Sequence, residues 1–391
     1  MSPAAKMPAT RPALDTEWSI LLAACSVAPN ERTADRIRTL LQEPVRWESL
    51  FDLADHHGVA PLLYQTLSTL EISIPANEFR YLRDAYHRNV HKALFLSREL
   101  IRILQHLGTL GFEVMPYKGL ALAETMYGDI ALRQSGDIDL LIHPQDLSRI
   151  TAAVCELGYT PHASLSDAER RAYLKSGYEL SFDGEAGPNL LEVQWDLQPR
   201  FYSVDFDMSS LFQRAAIVSI AGHPMKTPSP EDLLMVLSLH AAKHVWGRLI
   251  WLRDIAQIMA LPLNWNWIEA QARELGIVRI LGVTMLLANR LLDASIPTGA
   301  NSLIEEAAAS NLADEIQHYI VSEATYDVES AAYFRLMLRL REKRSDRLRF
   351  LYRLALTPGP SEWRAVRLPA PLFPLYRLVR LSRLAARLAR G

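Results

Sequence analysis

The sequence predicts an α+β chain in which a short stretch of strands lies between two long helical regions. Three observations carry this. From Trp18 to about Leu107 apolar residues recur at spacings of three and four, with no strand signal. Between Phe112 and Trp195 short apolar or alternating runs are closed by Gly and Pro. From Ser229 onward helical spacing resumes and continues nearly to the end, punctuated by Pro262, Pro297, Pro358, Pro360, Pro369, Pro371 and Pro374.

Each element follows from its residues. In the first region Leu40, Leu41, Trp47, Leu50, Phe51, Leu53 and Ala54, then Leu94, Leu96, Leu100, Ile103 and Leu104, mark helix faces. After Gly111, residues Phe112 to Met115 read as a strand that ends at Pro116. Lys118-Gly119 then turns the chain into an alanine-rich helix through Tyr127. Ser135-Gly136 is a turn into the run Asp137-Ile138-Asp139-Leu140-Leu141-Ile142, whose apolar end suits a buried strand. Pro144 fits the first turn of a helix reaching about Leu157. Tyr178–Phe182 and Leu190–Trp195 alternate on either side of the turn-rich stretch 183–188, a hairpin. Ser229 can cap the next helix, with Pro230 at its first position and Glu231 and Asp232 at the positive end of its dipole.

With 391 residues, 49% of them apolar, and a net charge of −2, the chain is expected to bury a large core and divide into two or more units. Two cysteines, Cys25 and Cys155, provide no disulfide framework, so a reducing, cytoplasmic location is expected. Leu22-Ala23-Ala24-Cys25, behind Lys6 and Arg11, imitates a lipoprotein box, but Asp15 and Glu17 interrupt the apolar stretch an export signal needs. No window approaches a membrane span. Charge is uneven: residues 331–391 hold 15 Lys and Arg against three acids, a net of +12, which leaves −14 upstream. Arg377, Arg380, Arg383, Arg387 and Arg390 fall at helical spacing beside Leu378, Leu381, Leu384 and Leu388. This is an amphipathic helix with one arginine face, expected either to pack its leucines on the body and pair its arginines with the acidic remainder, or to meet RNA or an anionic membrane surface.

The most chemically pointed residues are Asp137 and Asp139. Two apart in an extended strand, they share one face while Ile138 takes the other. Two like charges held this close call for a cation, and hard oxygen ligands suit Mg²⁺ or Mn²⁺ beside a substrate phosphate. An Asp-x-Asp arises about once by chance in such a chain. Indeed Asp205-Phe206-Asp207 is a second copy, but it lies among serines with no apolar strand after it and reads as a loop or helix cap. Two-metal phosphoryl chemistry asks for a third carboxylate, and Glu192, on a strand able to pair beside the Asp137 strand, is the candidate, with Gln194 on the same face. Lys118-Gly119 offers a cation, close backbone approach and a helix N-terminus to phosphate. Arg133 can either neutralise phosphate or hydrogen-bond its own turn. His240 and His244 have the spacing of zinc ligands, but no acid lies between them and no third ligand is evident. The sequence contains no P-loop, dinucleotide-binding or nucleophile-elbow motif, which excludes those ATPase, dehydrogenase and hydrolase classes.

Together Lys118-Gly119-Leu120-Ala121-Leu122, Arg133, Asp137 to Ile142, and Leu191-Glu192-Val193-Gln194-Trp195 resemble the large bacterial family of uncharacterised nucleotidyltransferases within the polymerase-beta-like superfamily. Pro230 to Leu234, His240 to Trp246, Trp251 and Asp254 downstream, and Asp55 to Pro61 upstream, extend the resemblance over about residues 18 to 375. It implies a two-layer α/β unit, a small mixed sheet in a predominantly helical chain. It implies that Asp137, Asp139 and Glu192 are the catalytic residues and hold one Mg²⁺ or Mn²⁺ ion, a second of the two arriving with the triphosphate. It further implies that Lys118, Gly119, Arg133 and Lys243 bind a nucleoside triphosphate whose NMP goes to a hydroxyl-bearing small molecule, peptide or protein. The expected organisation is a helical region 1–107, a nucleotidyltransferase core 108–226, a helical nucleotide- or acceptor-side domain 227–330 and a basic helical region 331–391. Two departures bear on this. The superfamily's Gly-Ser or Gly-Gly before the first helix is here Lys118-Gly119-Leu120, without the serine, and Gln194 stands where relatives often have His. The missing serine keeps a second reading open, a catalytically idle nucleotide- or partner-binding protein; the arginine helix keeps a third, an RNA-directed transferase.

Overall fold

The computed structural model describes residues 14 to 390 apart from 28, 164, 306 and 323 to 329. Lys6 and Arg11 lie outside the described residues, as do the side chains of Arg387 and Arg390. The chain is α+β, predominantly helical, with a five-stranded mixed sheet. Its strands are β1 (Val114–Pro116), β2 (Ile138–Ile142), β3 (Thr160–Pro161), β4 (Glu179–Gly184) and β5 (Gly187–Gln194), in the order β1-β2-β5-β4-β3. β2 and β5 run parallel and the other neighbours antiparallel. The parallel pair is bridged by a long connection that includes the helix Leu147–Glu156, as a parallel pair requires.

Alternation divides the two faces of the sheet. Ile138, Leu140, Ile142, Phe182, Leu191 and Val193 point to a core shared with Ala93, Leu96, Leu100, Ile103 and Leu107 of the helix Ala76–Thr109 and with Ile150 and Val154 of the helix Leu147–Glu156. The other face carries the polar residues described below. A second, larger core joins Trp18, Leu21, Leu50, Leu63 and Leu82 near the start of the chain to Leu233, Leu252, Leu281 and Leu336 far downstream. The 34-residue helix Ala76–Thr109, about 50 Å long, belongs to both cores: Leu82 lies in one and residues from Ala93 onward in the other.

Caps read from the sequence are in place. The Ser229 hydroxyl accepts from the Asp232 amide (3.2 Å), with Pro230 in the first turn. Asp207 caps the helix Met208–Gln213 by accepting from the Ser209 and Ser210 amides, while Asp205 pairs with Arg353 at 2.6 Å. Three features differ from expectation. The hairpin turn is shorter than 183–188: Gly184 pairs with Gly187, whose φ of +146° only glycine adopts readily, and Glu185-Ala186 close the loop. A second hairpin, β6 (Ala216–Ile220) and β7 (His223–Thr227), was not expected, because its apolar alternation is weak and Pro224 sits within it. Ala221-Gly222, both at positive φ, supply the tight turn. The helix Tyr376–Arg390 meets the expectation only in part: Leu384 packs on the larger core, but Arg380 is buried and Leu378 and Leu381 are exposed, and the side chain of Leu388 lies outside the described residues. The buried carboxylate of Glu362, 3.3 Å from Arg380 Nη1, draws the arginine inward.

Candidate active site

Three backbone segments converge on the polar face of the sheet. The first is the turn after β1, where Gly119 adopts φ +54°; a Cβ there would stand 3.4 Å from Ser135 Oγ and 3.5 Å from the Asp137 carbonyl oxygen. Glycine thus lets the Lys118 turn lie against the Ser135–Asp137 turn. The second is β2, with Asp137 just before it and Asp139 within it. The third is β5, where Glu192 is the register partner of Asp139. The parallel pairing of β2 with β5 therefore sets Asp139 and Glu192 side by side on one face, with Gln194 two residues on.

The contacts at this face form one network. Lys118 Nζ lies 3.1 Å from Asp139 Oδ1. Gln194 Nε2 donates to the same oxygen (3.1 Å) and to Glu192 Oε2 (3.0 Å), with Glu179 Oε2 at 3.4 Å. The Tyr117 hydroxyl donates to Gln194 Oε1 at 2.5 Å, which fixes the orientation of the amide. Sequence reasoning did not single out Glu179, a fourth carboxylate opposite Gln194 in register on β4; the alternation of Tyr178–Phe182 was the signal that could have found it.

Electrostatics reflect the crowding. Burial, and then the carboxylates of Asp139 and Glu179, push the Glu192 carboxyl up to about 8. Burial and Asp139 push Asp137 up to about 6. Burial works against the Lys118 ammonium, but Asp139 and its neighbours outweigh it and hold the group above its ordinary range. At the rim, Lys243 at the end of the helix Pro230–Lys243 donates to the Tyr178 hydroxyl (3.0 Å) with its ammonium 4.7 Å from that ring's centre. Burial lowers Lys243 to about 8. Beside it His240, His244 and Trp251 pack ring to ring, and burial depresses His240 far below the usual imidazole range.

Arg133 has a different setting from a phosphate-facing cation. Its Nε and Nη2 each lie 2.9 Å from an Asp254 carboxylate oxygen, a buried bidentate pair, and Nη1 reaches Ser135 Oγ at 3.2 Å. Tyr127 donates to Asp254 as well (2.7 Å). Arg133 thus ties the turn before β2 to the helix Leu249–Met259.

The donors around Asp137, Asp139 and Glu192 are all carboxylate oxygens, the chemistry a hard divalent cation takes. Among the described residues, no three His, Cys, Asp or Glu side chains are grouped closely enough as they stand to hold a metal ion. Lys118 and Gln194 instead occupy Asp139. A recess of about 10 Å³, the size of a single water or ion, is lined by Lys118, Asp137 and Asp139 with Leu100, Pro116, Leu120 and Ile138.

Residues 43–293 match the family described as uncharacterised nucleotidyltransferase, nearly two thirds of the chain. The protein belongs to this nucleotidyltransferase family. The matched region contains Lys118, Gly119, Arg133, Asp137, Asp139, Glu192 and Lys243, and ends before the basic C-terminal region. No curated protein matches. One solved structure, an antigenic nucleotidyltransferase-like protein from Paracoccidioides brasiliensis, matches at 18% identity and a TM-score of 0.31, over 52% of this chain and 95% of the other.

Proposed function

We propose that the protein transfers a nucleoside monophosphate from a nucleoside triphosphate to a hydroxyl-bearing acceptor, as in the polymerase-beta-like superfamily it resembles. The acceptor oxygen attacks the α-phosphorus, the bond to the β-phosphate oxygen breaks and pyrophosphate leaves. The observation that carries the reading is the register pairing of Asp139 with Glu192 beside Asp137, on a face bordered by Lys118 and Lys243. One Mg²⁺ or Mn²⁺ ion held by Asp137, Asp139 and Glu192 would supply a lowered acceptor pKa, and a second, brought by the triphosphate, would supply charge neutralisation. The raised pKa of Glu192 and of Asp137 supports this, since burial first and then the neighbouring carboxylates disfavour the charged forms that a cation would stabilise. Loading requires Lys118 and Gln194 to release Asp139, which frees the Lys118 ammonium for phosphate. Gly119 allows close backbone approach, and Lys243 contributes charge from the rim.

The Lys118–Asp139 pair also favours a second reading, since it already gives Asp139 a counter-charge: an idle nucleotide-binding protein. One experiment separates the two. The full chain, Mg²⁺ and each α-labelled nucleoside triphosphate are incubated with cell extract, and labelled acceptors are sought. We expect transfer by the wild type and a loss of about a hundredfold or more in Asp139→Asn and in Asp137→Asn. Nucleotide binding by calorimetry without any pyrophosphate release, or equal transfer by wild type and both variants, would remove the catalytic reading.

A further inference from the structure

The C-terminal arm packs Phe350, Leu354 and Tyr376 inward yet leaves a row of large apolar side chains in solvent. Eight of the thirteen exposed large apolar residues among the described residues fall between 348 and 381. Leu348, Leu351 and Tyr352, at spacings of three and four, form one outward face of the helix Arg344–Leu356, whose Phe350 and Leu354 are buried against the body. Leu372, Leu375, Leu378 and Leu381 follow at intervals of three into the helix Tyr376–Arg390 and are 41–62% exposed. The inside of this helix combines the buried Tyr376 and the half-buried Leu384, which packs on the larger core, with two arginines. Arg380 reaches the Leu354 carbonyl and the buried Glu362, and Arg383 Nη1 donates to the Ser361 carbonyl at 2.8 Å. Arg380 thus links the helix Tyr376–Arg390 to the helices Arg344–Leu356 and Pro360–Ala365, while Leu348, Leu351, Leu378 and Leu381 are left in solvent.

Charge indicates what covers this surface. Arg344 stands one turn before Leu348 and Arg377 one turn before Leu381; both are exposed, and neither makes an ion pair among the described residues. A second copy is disfavoured, since two segments of net +12 repel. RNA is met by a face of arginines, whereas here the outward Arg344 and Arg377 stand among outward leucines, which phosphate does not recognise. Apolar side chains flanked by long cations, which keep their charged heads at the rim, match an anionic bilayer surface. No helix of the described residues is long and apolar enough to cross a membrane, so such a contact lies in the plane of the interface.

We infer that residues 344–383 form a peripheral docking surface for anionic membranes. Leu348, Leu351, Tyr352, Leu375, Leu378 and Leu381 enter the boundary between headgroups and acyl chains, and Arg344 and Arg377 meet lipid phosphates. The test is co-sedimentation of the full chain with phosphatidylcholine vesicles with and without phosphatidylglycerol. We expect binding only to the anionic vesicles, and a loss of about tenfold or more in partitioning for Leu348→Glu with Leu378→Glu. Arg344→Glu with Arg377→Glu should weaken binding and flatten its salt dependence. All four positions are exposed, so thermal unfolding should match the wild type; Leu348→Ser with Leu378→Ser serves if the glutamate pair does not fold. Asp139→Asn should bind as wild type, which separates this inference from the catalytic one. Failure to bind phosphatidylglycerol vesicles, undiminished binding by the leucine variants, or binding abolished by competing RNA at low salt while the leucine variants stay unaffected would overturn it.

Discussion

Glu192 is expensive to keep. A glutamate in the unfolded chain titrates near 4.5, and in the folded protein burial and the neighbouring carboxylates move Glu192 to about 8. The folded state therefore holds this proton more tightly than the unfolded state. Stability linked to it is complete below about pH 4.5 and is lost as pH rises through about 8. Replacing Glu192 by Gln removes the charge but keeps the amide-sized side chain. We expect Tm to rise by about 1–3 °C at about pH 8.5 and to be unchanged at about pH 4. Thermal melts at the two pH values check this, and an equal Tm at the higher pH would show that the carboxylates do not repel. A destabilising group retained on a polar face is what a binding site is expected to cost.

Among elements, the decisive joint is between the turn before β2 and the helix Leu249–Met259. Arg133 and Asp254 are 7% and 1% exposed in their side chains and pair bidentately, so removing either leaves a buried charge without its counter-ion. We expect Arg133→Ala or Asp254→Ala each to cost about 3–5 kcal/mol, and the combination of Arg133→Met with Asp254→Leu to cost much less than the sum. Urea denaturation in a double-mutant cycle measures the difference; additive losses would show the pair to be uncoupled. Lys118 is held to its turn by a different device, the positive φ of Gly119 and its close approach to Ser135 and Asp137. Both joints anchor the turn before β2, and across it Lys118 reaches Asp139 at 3.1 Å.

At the scale of the whole molecule, two cores share one long helix. Trp18, 2% exposed and edge-on to His57 at 4.9 Å, packs in the same core as the helices Pro230–Lys243 and Val278–Leu292. Trp18→Ala is expected to cost about 3–5 kcal/mol. Because the core is continuous, hydrogen exchange should accelerate in those distant helices as well as in the first one. Acceleration confined to residues 16–82 would mean that the N-terminal helices form a separate unit.

Local chemistry was legible in the chain by itself. The helical face of Leu94 to Leu104, the Ser229–Pro230 cap, the Asp207 cap and the order of strands around Asp137 follow from spacing and capping, which need no distant partner. Asp139 could be paired with Glu192 as a hypothesis because alternation assigns each a face. What only tertiary structure decided were choices among partners. Arg133 could turn to phosphate or to protein, and Asp254, 121 residues away, took it. Glu179 joined the acidic face through pairing of β4 with β5, and Lys243 met Tyr178 across two elements. The C-terminal helix carried its leucines and arginines at the spacing the sequence states, but which side turned inward depended on Glu362, a buried carboxylate on another helix. Periodicity sets which residues share a face, while the direction that face points is settled by whatever charge or apolar surface the rest of the chain brings beside it.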